Sequence, residues 1–146
     1  MKFESLAHVA IRVADINTSL EFYAKLGIAE MFRVHHDNGD LWLIYLRITD
    51  DQYLEVFPKA TNVEAHDPMS NGLNHFCLAV ADIEATLREL SELDVPLYIP
   101  LKTSVDRNIQ AWIKDPDGNR IELMQMAPNS MQAEAIAKFA AGRSAP

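Results

Sequence analysis

"AHVAIRVADI" (residues 7–16) and "NHFCLAVADI" (residues 74–83) are one phrase written twice. Five of the ten aligned positions are identical, the histidine among them. The offset of 67 residues that aligns His8 with His75 also puts Asp15 on Asp82, Leu20 on Leu87 and Leu26 on Leu93. With no gap it reaches Glu55 on Glu122, so that Leu54-Glu55-Val56-Phe57 lies against Ile121-Glu122-Leu123-Met124. Self-similarity sustained at one offset marks a duplicated structural unit, and two copies are too few to stack as a solenoid. They are expected to pair into one body.

Each copy reads in the same order. Val9, Ile11 and Val13 alternate with His8, Ala10 and Arg12, as Phe76, Leu78 and Val80 alternate with His75, Cys77 and Ala79, and a period of two is the mark of a half-buried strand. A helix follows, carrying Ile16, Leu20, Tyr23 and Leu26 in the first copy and Ile83, Leu87, Leu90 and Leu93 in the second. Asp15 or Asn17, and Asp82, are the candidate N-caps, and Gly27 the candidate stop. Three more strands are predicted per copy: 30–36, 41–48 and 52–58, then 97–102, 108–114 and 119–126. The polar breaks at 36–40 and 115–118 supply turns. The fold class is therefore α+β, with paired βαβββ modules at 1–61 and 74–127, a linker at 62–73, and an alanine-rich tail at 128–146. That tail, with Ile136 and Phe139, is expected to form one docked helix fraying at 142–146.

Strand alternation sends the apolar faces under the two helices and His8, Arg12, His75 and Cys77 to the opposite face. Glu55 and Glu122, flanked by apolar neighbours in their own strands, leave the helix-packed face too. If the sheets curl together, two imidazoles and two carboxylates converge in one cavity. A single strand histidine is ordinarily a satisfied core or surface residue, and a single such glutamate the solvent half of an alternation. Four of them at matched offsets on matching faces point to a metal site, because carboxylates gathered out of water need a cation. The set His8, Glu55, His75 and Glu122 suits one divalent ion of borderline softness per site: nickel, zinc or cobalt first, manganese or iron after them. His35, His36 and His66 fall outside the repeat and read as loop or solvent-facing residues. Cys77, aligned with Ala10, reads as a small wall residue.

Composition excludes more than it names. The chain has 146 residues, 49% of them apolar, enough for a proper core. Lys+Arg number 13 against 21 Asp+Glu, a net charge of -8 that disfavours nucleic acid and anionic membrane surfaces and leaves an anionic small molecule in need of a local cation. No apolar run is long enough to span a bilayer and no signal-peptide pattern opens the chain. One cysteine rules out an internal disulfide framework and suits the cytoplasm.

From about Leu6 to Met126 the chain resembles the vicinal oxygen chelate superfamily, which includes glyoxalase I; "HVAIRVADINTSLEFYAKLG", "YLEVF", "NHFCLAVADI" and "DPDGNRIELMQM" carry the resemblance. The resemblance implies paired βαβββ units forming a metal cup, with one ligand from each of four corresponding strands, here His8, Glu55, His75 and Glu122. Extradiol dioxygenases and fosfomycin-modifying transferases use three residues, and methylmalonyl-CoA epimerases carry glutamine at the place of Glu55. The His/Glu/His/Glu order is most similar to bacterial glyoxalase I, lactoylglutathione lyase. That activity converts the hemithioacetal of methylglyoxal and a thiol, glutathione, to a lactoyl thioester through an enediolate held by the metal. Glu122 would be the catalytic base, with Glu55 a ligand able to exchange the role. Arg12 matches an arginine that holds a glutathione carboxylate. Lys59 stands where an asparagine is common in glyoxalase I, and it too would bind an anionic substrate. The resemblance also implies a homodimer. Two other functions remain open: a metal-dependent epimerase or isomerase of another acyl or 2-oxo thioester, and a non-catalytic small-molecule binder.

Overall fold

A computed structural model of the chain describes residues 3–61, 67, 69 and 71–143. Among them the elements run β1 (His8–Arg12), α1 (Ile16–Lys25), β2 (Ala29–His35), β3 (Leu41–Arg47) and β4 (Tyr53–Phe57), then β5 (Phe76–Ala79), α2 (Ile83–Glu92), β6 (Ile99–Thr103), β7 (Ile109–Lys114) and β8 (Arg120–Gln125), and last α3 (Met131–Arg143). The βαβββ order is present twice, and the fold is α+β with two four-stranded mixed sheets. Strand order is β1-β4-β3-β2 in one and β5-β8-β7-β6 in the other. In each sheet the first strand pairs parallel with the last and the remaining pairs are antiparallel. The chain divides into two compact units, Met1–Ser70 with Asp115–Asn119, and Asn71–Lys114 with Arg120–Pro146. Most of the expected linker, and His66, lie outside the described residues.

In the first unit β1 alternates as its sequence requires. Ile11 and Val13 are buried, and His8, Ala10 and Arg12 are not. They pack with Ile44, Leu46, Leu54 and Val56, all essentially without exposure. Asp15 is the N-cap of α1, its carboxylate accepting from the N–H groups of Asn17 and Thr18, which holds its pKa below the ordinary value. Asn17 is thus the first turn of the helix and not its cap. The helix ends before Gly27, whose φ of 75° lies in the left-handed region open to a residue without a Cβ.

The inner face of α1 is partly polar. Tyr23 is fully buried and its hydroxyl donates to Oδ2 of Asp115 at 2.9 Å. Ser19, also fully buried, donates to the Asp15 carbonyl and to Asp117, and Asp117 in turn accepts from the Ala14 N–H at 2.8 Å. The Asp115–Asn119 turn, read in the sequence only as a break between strands, therefore belongs to the first unit's core. Burial raises the pKa of Asp115, and burial together with that carboxylate raises the pKa of Tyr23.

The second unit repeats the apolar scheme with Phe76, Ile83, Leu90, Val95, Ile113, Ile121 and Leu123. Asp82 caps α2 through the Ala85 N–H. A buried polar knot closes one end of its sheet. Asn108, 1% exposed, donates from Nδ2 to Asp106 and to Gln132, and its Oδ1 accepts from the Ala127 N–H. The Met131 N–H donates to the Asp106 carbonyl and Arg107 pairs with Glu134. The first turn of α3 is thereby fastened to the unit. The expectation of a docked helix holds no further than that turn, for Ile136 and Phe139 are 53% and 75% exposed. Two large apolar residues among alanines make too narrow a stripe to dock a thirteen-residue helix.

Candidate functional site

Each unit builds one histidine–glutamate pair by strand register. In the first, Ala10 is the Cα partner of Glu55 across the parallel β1–β4 pair; in the second, Cys77 is the partner of Glu122 across β5–β8. The histidine sits two residues earlier on the same face, so its ring reaches the carboxylate over a small side chain, Ala10 or Cys77. His8 Nε2 stands 3.6 Å from Glu55 Oε2, and His75 Nε2 stands 3.1 Å from Glu122 Oε2. Glu55 is buried at 7% exposure, whereas the side chain of His8 remains 47% exposed.

Two neighbours hold the donors in place. The Nδ1 of His75 lies 2.9 Å from Oδ1 of Asn74. Asn74 on one side and Glu122 on the other fix the orientation of the ring. Tyr45, the antiparallel partner of Glu55, stands beside that carboxylate, and the interaction raises the phenol's pKa. Phe32 stacks on Tyr45 at 4.5 Å. The Cys77 thiol, partly buried and beside the Glu122 carboxylate, is pushed up to about 12. It is therefore a neutral thiol at physiological pH and a poor nucleophile, in keeping with its reading as a wall residue.

The donor chemistry fits a divalent ion. Ligands bound cis at about 2.1 Å stand roughly 3 Å apart, close to the spacing within both pairs. Among the described residues no three His, Cys, Asp or Glu side chains form a group able to hold a metal. The four expected ligands appear as two pairs, one in each unit.

Arg12 and Lys59, expected to hold an anion, do come together. They line a cavity of about 280 Å³ in the first unit. The Arg12 guanidinium is oriented by donation from Nη1 to the Pro58 carbonyl at 2.8 Å and lies over the Phe57 ring at 5.2 Å. His36, read from the sequence as a loop residue without a role, lines the same cavity, as do Asp40 and Trp42. The signal for His36 was present in its place next to the Asp37–Asp40 break, but its neighbours come from strands distant in the chain. His35 ends β2 and is exposed.

Residues 5–123 match the model of the Glyoxalase/Bleomycin resistance protein/Dioxygenase superfamily. A probable lactoylglutathione lyase of Synechocystis is 30% identical over 82% of this chain and 94% of its own length. A lactoylglutathione lyase of Pseudomonas aeruginosa is 27% identical over 84% of this chain and 82% of its own. The crystal structure of a glyoxalase family protein from Enterococcus faecalis superposes with a TM-score of 0.72 at 26% identity, covering 85% of this chain and 99% of that one.

Proposed function

The chain belongs to the Glyoxalase/Bleomycin resistance protein/Dioxygenase superfamily, and from that premise we propose that it is a metal-dependent lyase acting on the hemithioacetal of methylglyoxal and a thiol, with glutathione the reference thiol. The observation that carries this reading is the repeated pair: His8 with Glu55 at 3.6 Å and His75 with Glu122 at 3.1 Å, at matched registers. His8, Glu55, His75 and Glu122 are the residues that would ligate a divalent ion, and nickel, zinc or cobalt would suit a set of two imidazoles and two carboxylates. When bound, the metal supplies Lewis-acid polarisation of the substrate's adjacent oxygens.

The remaining work falls to side chains. Glu122 takes the proton from the carbon that bears sulfur and returns it to the neighbouring carbonyl carbon, while the hydroxyl proton passes from the oxygen on the sulfur-bearing carbon to the oxygen on its neighbour. Substrate and thioester product are isomers, so no oxidant or reductant is needed. Glu55 serves as a ligand able to exchange the role. Glu122 serves as the base that carries the proton. Arg12 and Lys59 bind the anionic tail and so position the substrate.

Metal analysis of the purified chain should find about one divalent ion per assembled site, and chelation should abolish lactoyl thioester formation from methylglyoxal and glutathione. Equilibrium sedimentation in the same preparation tells whether the chain is a monomer or a homodimer. A chain that binds no metal, or that turns over unimpaired after chelation, is not this enzyme. The half-exposed cation pocket also favours a second reading, an isomerase or epimerase of another acyl or 2-oxo thioester, which the same metal assay with coenzyme A thioesters separates.

A further inference from the structure

In the second unit Lys114 and Arg120 are Cα partners across the antiparallel β7–β8 pair. Directly opposed residues stand about 5 Å apart and share one face of the sheet. Trp112 and Glu122 are the next pair along that face, whereas Ile113 and Ile121 between them point into the core. Two cations set opposite each other repel, and among the described residues neither Lys114 nor Arg120 makes an ion pair. Both are nevertheless held in place. The Lys114 ammonium lies 3.8 Å from the centre of the Tyr98 ring, and Arg120 donates from Nη2 to the Asn74 carbonyl.

The first unit treats the corresponding place differently. The offset of 67 puts Arg47 on Lys114 and Tyr53 on Arg120, and Arg47 and Tyr53 are Cα partners across β3–β4. One cation faces a phenol there, and Asp50 pairs with Arg47. The residue aligned with Asp50 is Asp117. Its carboxylate is committed to the start of α1, where it accepts from the Ala14 N–H at 2.8 Å and from Ser19. Asp115, the other acid of that turn, accepts from Tyr23 and Asn119. Glu122, the acid next along the face, meets His75 at 3.1 Å. The second unit thus holds two cations where the first holds one, and the acid aligned with the first unit's counter-charge is used elsewhere. An anion supplied by a ligand would relieve the repulsion.

We propose that Lys114 and Arg120 form a carboxylate-binding site separate from Arg12 and Lys59, and that they select substrates carrying a carboxylate a short peptide's length from the reacting sulfur. Two residues of strand separate Arg120 from Glu122, about 7 Å at roughly 3.3 Å per residue. The cysteinyl-glycine half of glutathione is likewise two residues of extended chain, about 7 Å. A sulfur placed over the His75–Glu122 pair therefore brings the glycyl carboxylate to the two cations, with Trp112 beside the intervening carbons. Arg120 spends one N–H on Asn74 and keeps others for a carboxylate. The inference rests on the thiol-dependent reading above for what carries the carboxylate, but not for whether the two cations bind it.

The test is calorimetric titration of the full chain with S-methylglutathione and with its glycinamide, the same molecule with the glycyl carboxylate made neutral. The acid should bind at least about tenfold more tightly than the amide. Lys114→Gln alone, at an exposed position, should narrow that difference to roughly threefold, and Lys114→Gln with Arg120→Gln should erase it while the amide binds as before. Arg120→Lys, which keeps the charge, should preserve most of it. Equal binding of acid and amide by the parent chain, or binding of neither, overturns the inference. A difference that survives the double substitution, or that Lys114→Gln leaves untouched, overturns it too and gives the carboxylate to Arg12 and Lys59. If glutathione and its glycinamide are turned over with the same KM, the lyase reading stands and this one falls. If the difference in binding is seen but no thiol supports turnover, the carboxylate site stands and the lyase reading falls.

Discussion

Beside Glu55 stands Tyr45, and at the same register in the second unit Trp112 stands beside Glu122. The two aromatics are themselves related by the offset of 67, yet they do different things. Tyr45 stands beside the Glu55 carboxylate, which raises the phenol's pKa. Trp112 turns its edge to the His75 ring at 4.5 Å and spends its N–H on Gln110 at 2.6 Å. A second contrast lies at the other end of the sheets, where Arg12, His36 and Lys59 line a cavity in the first unit and Asn108 bonds to Asp106 and Gln132 in the second. Duplication supplied the same backbone twice. Side chains at corresponding places then gave one unit a phenol beside its carboxylate and a cation-lined cavity, and the other an indole beside its histidine and a buried polar knot.

The comparison can be broken at the carboxylates first. If Glu122 moves the proton and Glu55 only ligates, Glu122→Gln should cut kcat by about 10²- to 10⁴-fold with metal still bound. Tyr45→Phe should leave the chemistry within about tenfold and mainly weaken metal retention. Steady-state kinetics with methylglyoxal and a thiol, run alongside metal content, decides this. Equal losses from Glu122→Gln and Glu55→Gln at full metal occupancy would make the two pairs interchangeable.

A smaller effect is expected at the polar knot. Asn108→Ala removes a buried amide that satisfies Asp106, Gln132 and the Ala127 N–H and should cost about 2–3 kcal/mol of stability by urea unfolding. Leu41→Ala, at the corresponding but half-exposed place in the first unit, should cost less. A larger loss at Leu41 would mean that the open end is the better packed of the two.

The smallest difference lies in the helix caps. Asp15 accepts two backbone N–H groups and Asp82 one, so Asp15→Ala should lower the Tm by a few degrees and Asp82→Ala by less. Scanning calorimetry of the two variants gives the order directly.

Much of this was legible in the sequence because it is local. The period of two along residues 8–13 and 75–80, the caps at Asp15 and Asp82, and the stop at Gly27 depend on neighbours within a few residues, and the strand boundaries shifted by at most two. The repeat made His8, Glu55, His75 and Glu122 a set, and the register of β1 against β4 and of β5 against β8 brought each histidine to its glutamate. The misses were long-range. His36 gains its place from Arg12, Trp42 and Lys59, and the Asp115–Asn119 turn gains its partners from α1, 92 residues away for Tyr23. The tail's helix was legible as a helix, but a sparse apolar pattern says nothing of what covers it.

The sequence by itself determined the duplicated βαβββ order and the face on which each histidine and glutamate stands, because side-chain direction in a strand follows from backbone geometry alone. The tertiary structure decided which of the two units keeps an open cationic pocket, which glutamate has a phenol beside it, and where the polar face of α1 finds its partners. Those outcomes turn on contacts between residues far apart in the chain, and such contacts are set by packing rather than by any local period.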